Sequence, residues 1–156
     1  MNIERICSRN IVYAARSCRL QEAADLMRRH QVGALLVTDD QPDDHRAIGI
    51  VTDRDLVRQA MAEGIGPRDA TVGEVMTRGL VTIANTADTR EAIEAMRENG
   101  VRRLAVTGAD SGLVGIVSLD DIIDALAAEL TGVAGVLRTE RERESVLESA
   151  AKALRY

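Results

Sequence analysis

Residues 9–38, RNIVYAARSCRLQEAADLMRRHQVGALLVT, lie on residues 78–107, RGLVTIANTADTREAIEAMRENGVRRLAVT, when the chain is slid by 69 positions. Arg9 falls on Arg78, Val12 on Val81 and Ala15 on Ala84, while Glu22-Ala23 and Met27-Arg28 fall on Glu91-Ala92 and Met96-Arg97. Val32, Leu35, Val37 and Thr38 fall on Val101, Leu104, Val106 and Thr107. After a loop three residues longer in the first copy, GIVTDRDLV from Gly49 lies on GIVSLDDII from Gly115. This period is longer than the roughly 20–50 residues of solenoid repeats, so the chain is a tandem duplication of a small domain.

Each copy reads as the same run of elements. A short apolar strand (residues 11–14 or 80–83) leads to a helix with Ala23, Leu26 and Met27, or Ala92, Ala95 and Met96, on one face. An almost continuous apolar strand follows (34–37 or 104–106), then a polar turn, DDQPDDHR in one copy and GADSG in the other. A third strand (47–51 or 113–117) feeds directly into a second helix. Gly64, Gly66 and Pro67 close the first copy, and residues 71–76 form a short helical lead-in to the second. At roughly 60–70 residues neither copy can bury both faces of its sheet alone. The expected fold is therefore α+β: two β-α-β-β-α units (5–66 and 71–130) packed with pseudo-two-fold symmetry, plus a C-terminal helix (131–156). Between them a symmetric cleft opens at the strand-to-helix junctions.

Composition narrows the function. The 156 residues are 46% apolar and 29% charged, with no Phe or Trp and only Tyr13 and Tyr156 as aromatics. A nucleic-acid surface that stacks bases on aromatic faces is not available, and a net charge of −5 is the wrong sign for a general polyanion binder. No apolar run approaches 18 residues, and charges interrupt the N-terminal stretch where a signal peptide needs apolar residues. Two cysteines, Cys7 and Cys18, form no metal or redox pair, which fits a reduced compartment. The expectation is a cytoplasmic protein with neither a membrane nor a nucleic-acid partner.

The junctions Gly49-Ile50-Val51-Thr52-Asp53-Arg54-Asp55 and Gly115-Ile116-Val117-Ser118-Leu119-Asp120-Asp121 hold the candidate chemistry. Each sets a hydroxyl at a helix start and a carboxylate three residues on. One reading is a helix cap: Thr52 or Ser118 accepts from helix N–H groups, and Asp55 or Asp121 complements the dipole. The other is a nucleotide site, with phosphate at the helix N-terminus, ribose hydroxyls on the carboxylate, and a glycine that lets the strand lie close to a flat base. Spacing alone leaves both open.

Repeated units ending in GIVTDRDL and GIVSLDDI, with EVMTRGLVTI, REAIEAM and GVRRLAV in the same order, resemble the cystathionine beta-synthase (CBS) domain. They occur here as a tandem pair, a Bateman module like those of stand-alone CBS domain proteins, over roughly residues 5–130. The resemblance implies binding of AMP, ADP or ATP, and sometimes NAD or S-adenosylmethionine, in the inter-unit cleft. The hydroxyls of Thr52 and Ser118 would contact phosphate, and Asp55 and Asp121 would hold ribose. Basic residues before the second strand are Arg102 and Arg103 in copy two, suited to phosphate. Copy one has Gly33 and Ala34 there, and its nearby cation is Arg54, with His30 farther away. The sites are thus expected to be unequal, the Ser118/Asp121 site with Gly115 being the better equipped. The first strand of the opposite unit would bring Tyr13 and Ala14 to that site, although Tyr13 also reads as a cross-strand packing residue.

Other features carry less. Asp39, Asp40, Asp43, Asp44 and His45 share a loop but lack the Gly and terminal Glu of an EF-hand, so no metal is expected. No catalytic triad, HExxH or Walker loop is present, which argues against an enzyme. Beyond Thr131, an apolar helical stripe (Val133, Val136, Leu137, Val146, Leu147, Ala150, Ala151, Leu154) is interrupted by TERERE. It packs on its own body or contacts a second copy or another partner. The expected function is a non-catalytic adenine-nucleotide sensor, a homodimer signalling to an effector protein. The rival is a ligand-free dimerisation and interaction module.

Overall fold

The computed structural model describes residues 1–40 and 46–153, with side chains as far as 147. Copy one contains β1 (Tyr13–Ala15), α1 (Leu20–His30), β2 (Ala34–Thr38), β3 (Ala47–Thr52) and α2 (Asp53–Val57). The lead-in supplies α3 (Val72–Val75) and β4 (Thr77–Arg78). Copy two contains β5 (Thr82–Ala84), α4 (Thr89–Asn99), β6 (Arg103–Thr107), β7 (Leu113–Ser118) and α5 (Leu119–Ala153). The unit is β-α-β-β-α in both. The first strand of each begins two residues later than the apolar pattern suggests. Val12 is buried in the core, and its carbonyl accepts from the Leu36 amide at 2.9 Å just ahead of the first paired residue, as the Val81 carbonyl accepts from the Ala105 amide at 3.0 Å.

In each sheet the first strand runs parallel to the second and the third antiparallel to it: Tyr13 pairs with Leu36 and Leu35 with Val51, Thr82 with Ala105 and Leu104 with Val117. Both second strands carry an irregularity at the same place, Val37/Thr38 and Val106/Thr107. The near-continuous apolar runs are explained by burial of both strand faces: Leu35, Leu36 and Val37, like Leu104 and Val106, are fully enclosed. Val12, Ala14, Leu20, Ala23, Met27, Leu35, Val37, Val51 and Leu56 form one core in copy one.

The capping chemistry differs between equivalent helices. α4 starts at Asp88, whose carboxylate accepts from the Glu91 amide at 2.8 Å while Glu91 accepts from the Asp88 amide at 2.8 Å. α1 has Arg19 at that position, so only half of the box remains, the Arg19 amide donating to Glu22 at 3.1 Å. At the other end, Gly100 takes the left-handed conformation (φ 63°) without cost, whereas Gln31 takes it (φ 55°) against its Cβ.

The copies are joined by an exchange that the sequence pattern does not announce. The lead-in of copy two docks on copy one: the amides of Val72 and Gly73 donate to the carbonyls of Cys18 and Arg16, each at 2.8 Å. β4 then pairs antiparallel with β3, Gly49 opposite Arg78 and Ile50 opposite Thr77, as a fourth strand. The N-terminal segment returns the contact to copy two. The amides of Ile3 and Glu4 donate to the carbonyls of Ala87 and Asn85 (2.9 and 3.1 Å), and Ser8 exchanges two 2.9 Å bonds with Ile116. Each of these positions maps onto its counterpart under the same duplication. Val72 and Ile3, the anchors of the two segments, are both fully buried.

α5 contains the second helix of copy two and runs on without a break through the residues read as a separate tail. It forms a structural unit by itself, residues 119–156, against residues 1–118 for the rest. Among the described residues no helix is long and apolar enough to cross a membrane.

Candidate functional site

The copy-one junction is built by β3 delivering Thr52 to the start of α2. Thr52 has extended backbone (φ −115°, ψ 161°) and is the N-cap. Its hydroxyl donates to Asp55 Oδ2 at 2.7 Å, its amide donates to the same oxygen at 2.9 Å, and the Asp55 amide donates back to Thr52 Oγ1 at 3.3 Å. The cap reading of the motif is therefore realised, and it holds both side chains half-buried in fixed rotamers. Both of these bonds to the carboxylate end on Oδ2; Oδ1 accepts none among the described residues. Asp53 and Arg54 are exposed, the Arg54 amide donating to Asp53 Oδ1 at 2.8 Å.

A second chain segment reaches this junction. The Asp53 amide donates to the Gly33 carbonyl at 3.2 Å, which places Gly33 beside the start of α2. The space over the Gly33 Cα is taken by the guanidinium of Arg103, 2.9 Å from where a Cβ would stand, and by Asp53 Oδ2 at 3.3 Å. Arg103 belongs to β6, so copy two contributes a cation to the junction of copy one, where the sequence offers Arg54. Glycine at 33 is what admits it.

The glycines that open each motif have a different cause. A Cβ on Gly49 would collide with the Thr77 carbonyl oxygen, and one on Gly115 would stand 2.8 Å from the Ser8 carbonyl and 3.0 Å from Cys7 Sγ. Both glycines are buried. The close approach at each is that of the exchanged backbone from the other copy.

The remaining candidates fall as follows. Arg103 pairs with Ser118 across β6 and β7, as Ala34 pairs with Thr52. Arg102 is exposed, and Asp121 stands in the first turn of α5. Ala14 is buried in the copy-one core, and Tyr13 beside it is 41% exposed. Their strand hydrogen-bonds to β2 of its own copy, and the segment that crosses to copy two is the one before it. The His30 carbonyl accepts from Asn10 at 3.1 Å. Asp43, Asp44 and His45 lie outside the described residues. Burial pushes the Cys18 thiol up to about 11, helped by Glu22, so it is a protonated packing group at neutral pH.

Two cavities lie away from the junction. One of about 680 Å³ is apolar, between α1 and α2, lined by Leu20, Ala24, Leu56, Val57, Met61 and Pro67. The other, about 360 Å³ and polar, is lined by Arg16, Ser17, Asp40, Glu74 and Arg78. Neither is lined by Thr52 or Asp55. Sequence reasoning missed the Arg103 crossing and the exchanged segments. The duplication carried a signal for the latter, since sliding by 69 also sets Asn2–Ser8 on Thr71–Thr77 with apolar Ile3 on Val72 and Ile6 on Val75.

The comparisons with known proteins agree with this architecture. The CBS domain family profile matches residues 3–62 and 72–128. Hypoxic response protein 1 of Mycobacterium tuberculosis is 37% identical over 120 residues, 74% of this chain and 81% of that protein. A putative signal-transduction protein with CBS domains from Burkholderia ambifaria superposes with a TM-score of 0.72 at 26% identity, over 82% of this chain and 95% of the other. The CBS domain pair of protein MJ0100, solved with 5′-methylthioadenosine and S-adenosyl-L-methionine, shares the fold at TM-score 0.70 and 22% identity, over 83% and 98%. The chain spans 61, 72 and 81% of the length of three curated relatives. With two matched units covering most of its length, the chain belongs to the CBS domain family and carries a tandem pair of its domains.

Proposed function

We propose that this CBS pair is a non-catalytic regulatory module that binds an adenine nucleotide at the Thr52–Asp55 junction. The observation that carries the reading is the convergence there of a held hydroxyl, a carboxylate with one oxygen outside the cap, and the Arg103 guanidinium from the other copy. Asp55 Oδ1 suits a ribose hydroxyl, and Arg103 with the start of α2 suits a phosphate. The adenosyl ligands of the MJ0100 pair support the class of ligand. On sequence spacing, Ser118 and Asp121 repeat the hydroxyl–carboxylate pair, and the ligand's effect passes to an effector protein through a change in the relative stability of two states.

Calorimetric titration with AMP, ADP, ATP, NAD and S-adenosylmethionine tests the proposal. Arg103→Gln should weaken AMP about tenfold or more, the worth of a charge-assisted bond at ~1.5–3 kcal/mol, and leave adenosine unchanged. No heat with any ligand, or equal affinity in the variant, would sink it. The completed Thr52/Asp55 cap favours one rival, a ligand-free interaction module. Thermal melts separate the two, since a binder gains about RT ln(1 + [L]/Kd) with nucleotide and a cap alone gains nothing.

A further inference from the structure

Along α5, Leu119, Ile123, Leu126, Leu130, Val133 and Leu137 are spaced alternately by four and three residues, and Leu147 returns in the same register after Glu140 and Glu144. An α-helix repeats every 3.6 residues, so a seam repeating every 3.5 stays on one line only when two helices coil around each other. Ile123, Leu126, Leu130, Val133, Leu137 and Leu147 are all exposed, Leu130 by 70% and Leu147 by 69%. The seam from 123 to 147 is about 37 Å long at 1.5 Å per residue, more than three heptads.

Its polar interruption names the occupant. Counting Ile123 as position a, Glu140 is a d residue followed by Arg141 at e, and Glu144 is an a residue preceded by Arg143 at g. In a parallel, in-register pair, d packs beside the e of the other helix and a beside its g. Each seam carboxylate then meets an arginine of a second copy, while Leu126, Leu130, Val133, Leu137 and Leu147 each meet themselves. An antiparallel pair centred on this segment sets Glu140 against Glu144 instead. We propose that α5 joins a second copy of this chain in a parallel two-stranded coiled coil through the seam Ile123, Leu126, Leu130, Val133, Leu137 and Leu147.

The test uses the full chain. Light scattering should show the mass of the Leu130→Glu/Leu137→Glu variant falling to half that of the parent, with the circular dichroism of the sheets kept because both side chains are exposed. An unchanged mass overturns the proposal. Orientation is read separately by mild oxidation. Val133→Cys, on the seam, should give a disulfide-linked dimer, and Gly135→Cys, on the far side of the helix, should not. No link at 133, or equal linking at both, overturns it as well.

Discussion

The two copies share strands, registers and exchanged segments, and differ most after the strand-to-helix junction. In copy one the second helix lasts from Asp53 to Val57, widens into a π turn over Arg58–Ala62, and stops at Gly64 with φ +64°. In copy two the same helix continues for 35 residues. Aligned on the motif, Gly64 and Pro67 correspond to Leu130 and Val133. Glycine adopts the left-handed turn that ends a helix, and proline lacks the amide that continues one. Copy two has residues of the exposed seam at both positions. The two copies thus share the strand pairing and the exchange, and differ in the length of the second helix.

The exchange itself separates the copies by degree, and substitution of the motif glycines should show the largest effect. Gly49→Ala forces a Cβ into the Thr77 carbonyl, which belongs to a paired strand, and should destabilise by about 2–3 kcal/mol in urea unfolding. Gly115→Ala meets the Ser8 carbonyl at 2.8 Å, where a single bridge can shift, and should cost closer to about 1 kcal/mol. If the order is reversed, the Asn2–Ser8 segment is the more rigid partner and the comparison fails.

The helix ends offer a contrast of sign. Gly64→Ala puts a Cβ on a left-handed residue and should lower stability by about 1 kcal/mol. Gly135→Ala sits inside α5 with nothing within 4 Å of the new methyl, and should raise helix stability by up to about 1 kcal/mol. Thermal melts of the two variants moving in the same direction would contradict the assignment of one glycine to a stop and the other to an open helix face.

The smallest effect concerns acid. The amide of Glu91 holds the Asp88 carboxyl below its usual range, and Thr71 does the same for Glu74 at the start of α3. A carboxyl whose folded pKa is lowered stabilises fully above its unfolded value, near 4, and that contribution is lost as pH falls through the lower folded value. α4 should therefore fray below about pH 4 while α1, with Arg19 at its cap, changes less. Amide exchange at Glu91 and Glu22 as a function of pH compares them; an equal response at both would show that the cap difference carries no weight.

What was legible in the sequence follows from how local each feature is. The β-α-β-β-α units could be read because apolar alternation and helical spacing are short-range, and because the duplication presents each pattern twice. The paired residues begin at Tyr13 and Thr82, one past Val12 and Val81, whose carbonyls already accept from β2 and β6, so the apolar pattern overruns each strand only slightly. The hydroxyl–carboxylate spacing found the Thr52–Asp55 pair. It could not show Arg103 beside Gly33, since that contact joins residues 70 positions apart and depends on how two sheets meet. The continuity of α5 was readable in principle: no glycine-proline stop of the kind at Gly64 and Pro67 occurs near Thr131.

The bridge between Ser8 and Ile116 also has a consequence in time. Its two halves lie 108 residues apart, so Asn2–Ser8 emerges from the ribosome long before the strand it completes. At about 5–20 residues per second the wait is roughly 5–20 s. β3 receives β4 earlier, once Thr77–Arg78 is made, 38 residues before Ile116. Copy one cannot finish its sheet until the lead-in of copy two is made, and copy two cannot finish without a segment that has been waiting since synthesis began on copy one. Copy one's sheet can therefore close first and copy two's last, on a segment made before either.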